Sequence, residues 1–129
     1  MIYTERSKDE FLRNLLTEVR YSIRERVDIS LFMVSVKGDM EPAFEQLTDI
    51  KLEEVPHMKW RKYDDKPVFA MYVPNFSKDE ATGLVDKINT HTHMTAVSTT
   101  YEGNKAGFDT LTKDAELMVY DLLVKQLGL

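Results

Sequence analysis

Apolar residues return at helical spacing near the start of the chain. Phe11, Leu15, Val19 and Ile23, with Leu12 and Leu16 beside them, form one stripe, and the other face carries Arg and Glu. This predicts an amphipathic helix ending near Arg26. Ser7-Lys8-Asp9-Glu10 reads as its start. The serine hydroxyl can accept from the backbone three residues on, and Glu10 can reach back. The pattern then changes. Ile29 to Val36 is almost continuously apolar, as in a strand buried on both faces. Lys37-Gly38-Asp39 marks a turn, and Pro42 suits the first turn of a short helix carrying Ala43, Phe44 and Leu47. Leu52 to Tyr63 is mixed and fits an extended edge strand, since Pro56 argues against a central one.

Asp64-Asp65-Lys66-Pro67 is a hairpin-type turn, and Val68 to Val73 is the second clear strand. Alternation sends Phe69 and Met71 to one side of it and Ala70 and Tyr72 to the other. Ser77-Lys78-Asp79-Glu80 repeats the helix-start pattern, with Phe76 placed to staple onto Ala81. Ala81, Leu84, Val85 and Ile88 give the buried stripe of that helix. Met94 to Tyr101 is the next strand, and Glu102 to Gly107 a loop. Asp109 or Thr110 caps a final helix with Leu111, Ala115, Met118 and Leu122 on one face and Gly128 as its stop. The order is helix, then strand-helix-strand-strand-helix-strand, then helix. The expected fold is α+β: a ferredoxin-like βαββαβ antiparallel sheet with an N-terminal and a C-terminal helix, in a single domain over residues 1–129.

Composition narrows the function classes. At 129 residues with 43% hydrophobic and 30% charged content, one folded core is expected rather than disorder. The absence of cysteine excludes disulfides and thiolate metal sites and is compatible with the cytoplasm. No apolar run approaches the ~20 residues of a membrane span, and Met1 to Glu10 carries no signal-peptide pattern. A formal charge of -5 argues against nucleic acid as a partner, which would need a basic face, although Lys59, Arg61 and Lys62 could still make a local patch.

Two stretches carry a family resemblance. Met94 to Tyr101, followed by Asp109-Thr110-Leu111-Thr112-Lys113-Asp114-Ala115-Glu116-Leu117-Met118-Val119-Tyr120, resembles the closing strand and helix of GGDEF domains, the fold of the diguanylate cyclases. Asp65-Lys66-Pro67-Val68-Phe69-Ala70-Met71-Tyr72-Val73-Pro74 takes the place of the family's signature hairpin and following strand. The order of elements agrees over nearly the whole chain, the residues only in its second half. Of the five signature positions, Asp65, Lys66, Pro67, Val68 and Phe69, only Phe69 agrees, in a core-packing role. The resemblance implies a divalent-metal site with aspartates near the end of the first strand, where this chain has Ser35 and Lys37. Carboxylates are what hold hard cations there; serine is a poor substitute and lysine repels them. It also implies two cationic phosphate ligands in the last helix, where Leu123 and Leu127 stand. An inhibitory product site before the hairpin is missing from His57-Met58-Lys59-Trp60, and Arg61-Lys62-Tyr63-Asp64 lies too near the turn. The stretch between the first strand and the hairpin, short for the family, leaves little of a guanine pocket. Another ferredoxin-like regulatory domain is the competing assignment.

Other constellations are thinner. His91-Thr92-His93 would place two imidazoles on one side of a strand, with Asp86 or Glu102 as a third zinc ligand; polar residues at a helix-to-strand junction are the simpler reading. Glu53, Glu54, Asp64 and Asp65 read as solvated carboxylates, and His57 as a surface residue. Ser98 lacks the Gly-x-Ser-x-Gly context of a nucleophile, and there is no phosphate-binding glycine loop. Trp60 and Tyr72 would make a docking patch if both face outward, or else cover the open face of the sheet.

Together these give a catalytically inactive GGDEF-like domain, not an enzyme, without cofactor or metal. It would act in cyclic-dinucleotide signalling through a protein partner: an active cyclase, a sensor or a second copy. The alternative is a small-molecule or nucleotide sensor that keeps a modified pocket around Lys37, Gly38 and Asp39.

Overall fold

A computed structural model describes residues 8–38, 59–62, 68–91, 93–103, 121 and 125. Helix α1 (Lys8–Glu25) precedes strand β1 (Ile29–Val36). Then come β2 (Lys59–Lys62), β3 (Val68–Pro74), helix α2 (Lys78–Asn89) and β4 (Met94–Tyr101). Asp121 and Lys125 are helical and exposed. The expected cap at Ser7, the short helix at Ala43, Phe44 and Leu47, the hairpin turn at 64–67 and the stripe Leu111, Ala115, Met118 and Leu122 lie outside the described residues.

The four strands form one sheet in the order β2-β3-β1-β4, with every neighbouring pair antiparallel. The architecture is therefore α+β, and this strand order is that of a split βαβ sheet. β1 pairs with β3 from Ile29↔Pro74 to Ser35↔Val68, and with β4 from Ile29↔Tyr101 to Val36↔Met94.

Side-chain alternation divides the sheet between two cores. Phe32, Val34 and Val36 of β1, Phe69, Met71 and Val73 of β3, and Met94 and Ala96 of β4 pack with Ala81, Leu84 and Ile88 of α2. On the opposite face Ile29, Leu31, Ala70, Tyr72 and Tyr101 pack with Phe11, Leu15, Val19 and Ile23 of α1. The expected stripe of α1 is thus the buried one. These four helix side chains are 0–1% exposed. Their burial contributes about 6–12 kcal/mol gross, before the entropy of ordering is set against it. Packing, more than intrinsic propensity, holds this helix.

Both helix boundaries have local causes. α2 begins at a capping box: Glu80 N–H donates to Ser77 Oγ at 3.1 Å, and Ser77 N–H donates to Glu80 Oε1 at 3.2 Å. Phe76 packs against the core cluster that contains Ala81, and its ring meets Phe32 edge-on at 6.2 Å. α1 ends where Arg26 enters the left-handed region at φ 55°. Val27 N–H then donates back to the Ser22 carbonyl at 3.1 Å, the long bond of a Schellman ending. The Ser22 hydroxyl donates to the Val27 carbonyl.

The same turn is locked to the end of β4. Gly103 N–H donates to Asp28 Oδ1 at 3.1 Å. A Cβ on Gly103 would lie 2.5 Å from the Val27 carbonyl oxygen and 2.8 Å from the Arg26 carbonyl carbon. Those are backbone atoms, so a side chain there must push α1 and β4 apart. Ser30, fully buried, closes the corner by donating to the Phe76 carbonyl at 2.8 Å and sharing a 2.8 Å bond with the Thr100 hydroxyl.

Gly103→Ala should cost about 1–3 kcal/mol, as overpacking against immobile atoms does; chemical denaturation measures it, and an unchanged midpoint would contradict this packing. Tyr101 gives a second test. Its ring is buried in the α1 core, its hydroxyl has no hydrogen-bond partner among the described residues, and burial raises its pKa above the ordinary 10.0. A raised acid pKa means stability is held below the unfolded value and lost as pH climbs through it and towards the folded one. Tyr101→Phe should therefore match the parent at pH 7, within about 1 kcal/mol, and lose less stability above pH 10. Thermal melts across that range check both halves.

Candidate functional site

The end of β1 gathers four of the positions to which the sequence pointed: Ser35, Lys37, Gly38 and Val68. Two-sided burial stops there: Val36 is buried, whereas Ser35, Lys37 and Gly38 are exposed. Register sets Ser35 between Val68 of β3 and Thr95 of β4. Lys37 N–H donates to the His93 carbonyl at 2.7 Å, which extends the β1–β4 ladder one step beyond the strands. Gly38 adopts φ +103°, and a Cβ there would meet nothing within 4 Å. Its glycine answers to backbone conformation and not to crowding. Val68 is half-buried and Phe69 fully buried in the α2 core, so Phe69 has the packing role expected of it.

Ser35, Lys37, Gly38 and Val68 are thus brought to one end of the sheet. Asp39, Asp65, Lys66 and Pro67, which the sequence joins to them, lie outside the described residues, as do Leu123 and Leu127. The described corner offers a hydroxyl, an apolar side chain and a cation. It offers no carboxylate, and a divalent ion cannot be held by such a set. The metal implied by the GGDEF resemblance therefore does not fit Ser35, Lys37 and Val68. No step through a metal follows from them.

The two histidines do not share a strand face. His91 and His93 precede β4, in the turn that leaves α2; His93 is exposed and His91 partly buried. The strand begins at Met94, three residues after His91. Nε2 of His91 is buried without a partner among the described residues, but no group of three or more His, Asp or Glu side chains able to hold a metal stands among them.

Tyr72 also departs from one of its two expected placements. It is 1% exposed and meets the Phe11 ring edge-on at 5.3 Å. The register moreover pairs Tyr72 with Lys59, and Trp60 with Met71. Helix α1 lies over this face, so the outward patch of Trp60 with Tyr72 does not form. Sequence alternation fixed the side of Tyr72 correctly; it carried no information on what covers that side.

A second polar site lies along β4. A cavity of about 330 Å³ between the first turns of α2 and the strand is lined by Lys78, Thr82, Ser98, Thr99, Thr100 and Glu102. Ser98 has no histidine among these described neighbours, so no Ser–His pair forms there. Asn89, unnoticed in the sequence, reaches the same strand lower down. Its Oδ1 accepts from Ala96 N–H at 2.7 Å and its Nδ2 donates to the Ala96 carbonyl at 3.4 Å. An asparagine closing a helix just before a strand was the only available signal.

The chain matches no protein-family model and no curated protein.

Zinc gives a direct check on the histidine turn. Stoichiometric zinc should leave the melting temperature unchanged, because a site with no converging ligand set gives no linkage to folding. A stabilising shift that His91→Ala abolishes would reinstate a metal site.

Proposed function

We propose that this chain is a catalytically inactive GGDEF-like domain that acts as a regulatory protein-interaction module in bacterial cyclic-dinucleotide signalling. The observation that carries the reading is the corner at Ser35. There β1 sits between Val68 and Thr95, and Lys37 follows, at positions where the family resemblance calls for metal-binding and signature acids. The strand order β2-β3-β1-β4, antiparallel throughout, supports the fold half of the same reading. A ferredoxin-like sheet hosts many functions, so the fold alone would not carry it.

On this reading the chain regulates by docking, against an active cyclase, a sensor or a second copy, and handles no triphosphate itself. Its setting is the cytoplasm. No helix among the described residues is long and apolar enough to cross a membrane, which is compatible with that setting. The charge of -5 agrees with a partner other than nucleic acid.

Titration calorimetry with GTP, cyclic di-GMP and magnesium tests the proposal. The expected result is no binding tighter than about 1 mM, together with no dinucleotide product in a synthesis assay. Magnesium-dependent GTP binding with turnover would overturn it. GTP binding without turnover that Lys37→Ala removes would transfer the function to a nucleotide sensor.

A further inference from the structure

The outer edge of β4 is only partly closed, and the closure has a defined end. Successive residues of an antiparallel strand direct their backbone groups alternately to one neighbour and the other. Ala96 gives both its N–H and its carbonyl to the Asn89 side chain, on the side away from β1. The unbroken β1–β4 register then turns the backbone groups of Ser98 and Thr100 to that same outer side. β4 is the last strand of the described sheet, and among the described residues neither Ser98 nor Thr100 has a backbone partner there. The 330 Å³ cavity lies beside this open stretch. Asn89 therefore does at Ala96 what a neighbouring strand would do, and leaves two residues above it without a backbone partner among the described residues.

We propose that this edge receives a short extended segment of a partner protein, rich in threonine and carrying one carboxylate. The inference rests on the docking role proposed above and names the surface and the chemistry of the partner. Strand addition supplies up to four main-chain hydrogen bonds at Ser98 and Thr100. The lining determines the side chains. Among the described residues that lining is polar. Ser98 presents a hydroxyl, and those of Thr82 and Thr100, already bonded to the Lys78 carbonyl and to Ser30, keep acceptor lone pairs; together they favour threonine across the pair. Lys78, on the exposed first turn of α2, supplies the cation for one acid. Glu102 is already engaged, and its charge disfavours a second acid. Asn89 sets the length: the guest strand stops where its carboxamide begins.

Amide hydrogen exchange by NMR on the full chain tests this. The probe is an acetylated, amidated hexapeptide of threonine and valine with one central glutamate, and its control has lysine there. In the free protein the Ser98 and Thr100 amides should exchange at least about tenfold faster than those of Thr99 and Tyr101, which face β1. The glutamate peptide should slow both toward the protected rate, and the lysine peptide should bind about threefold more weakly. Lys78→Glu should reverse that preference, and Asn89→Ala should extend peptide-induced protection to Ala96. The proposal fails if Ser98 and Thr100 are already protected in the free chain, or if the glutamate peptide leaves their exchange unchanged. Nucleotide calorimetry does not report on this edge, so the two readings fail separately: silence there with no protection here removes only the edge, and turnover there with protection here removes only the inactive-domain reading.

Discussion

Strand β1 sends its side chains into two separate cores, and the described structure depends on that division. Phe32, Val34 and Val36 go to the α2 side, Ile29 and Leu31 to the α1 side. A slip of one residue against β3 or β4 would exchange the two sets, and each would meet the wrong helix. Register is therefore fixed from both faces at once, more firmly than in a sheet with one wet side. Ser30 is the exception that supports the rule. It is a polar residue inside the strand, and its hydroxyl is satisfied twice, by Phe76 and Thr100. It fits only where β4 and the segment after β3 arrive together, so it discriminates against other registers as a buried polar group can.

The two ends of β1 differ for the same reason. Its start is bound into a corner made by the Schellman ending of α1, by Asp28 and Gly103, and by Phe76, whose N–H donates to the Asp28 carbonyl at 3.2 Å. Little can change there without displacing backbone. Its far end emerges from both cores at Ser35 and Lys37, which are exposed. Exposed strand ends and the turns after them are where a rigid sheet presents chemistry. The outer edges follow their own logic, since unpaired strands invite association unless something closes them. Among the described residues the closing group at β4 is the Asn89 carboxamide, which pairs with Ala96.

Much of the fold was legible in the sequence because it rests on period. The buried stripe of α1, the continuous apolar run of β1, the alternation of Phe69 to Tyr72 and the bounds of β4 all follow from local spacing. The capping box at Ser77 was legible too, because its chemistry lies within four residues. What the sequence did not yield depends on contacts between distant segments. Tyr72 could be assigned to a side, but not to burial under Phe11, some sixty residues earlier. Gly103 looked like an ordinary loop glycine; its constraint comes from the Val27 carbonyl. His91 and His93 were spaced as strand neighbours, yet the turn out of α2 ends only at Met94. Asn89 carried no motif, since pairing with Ala96 needs the strand already folded beside the helix.

The candidate site reads differently from the core because its residues do little for stability. Ser35, Lys37 and Gly38 are exposed, and substitutions at such places are generally worth less than about 0.5 kcal/mol. The side chains that hold the sheet, Phe32, Val34, Phe69 and Met71 among them, are fully buried and stand apart from the exposed Ser35 and Lys37. A sheet of this kind can therefore change its polar corner without changing its shape. That separation is what makes a scaffold without acids at Ser35 and Val68 physically reasonable. It also shifts attention from the strand end to the strand edge. Ser35, Val68 and Lys37 by themselves have little grip on a metal-bound nucleotide, whereas a strand edge without a backbone partner among the described residues needs no specialised side chain to make hydrogen bonds.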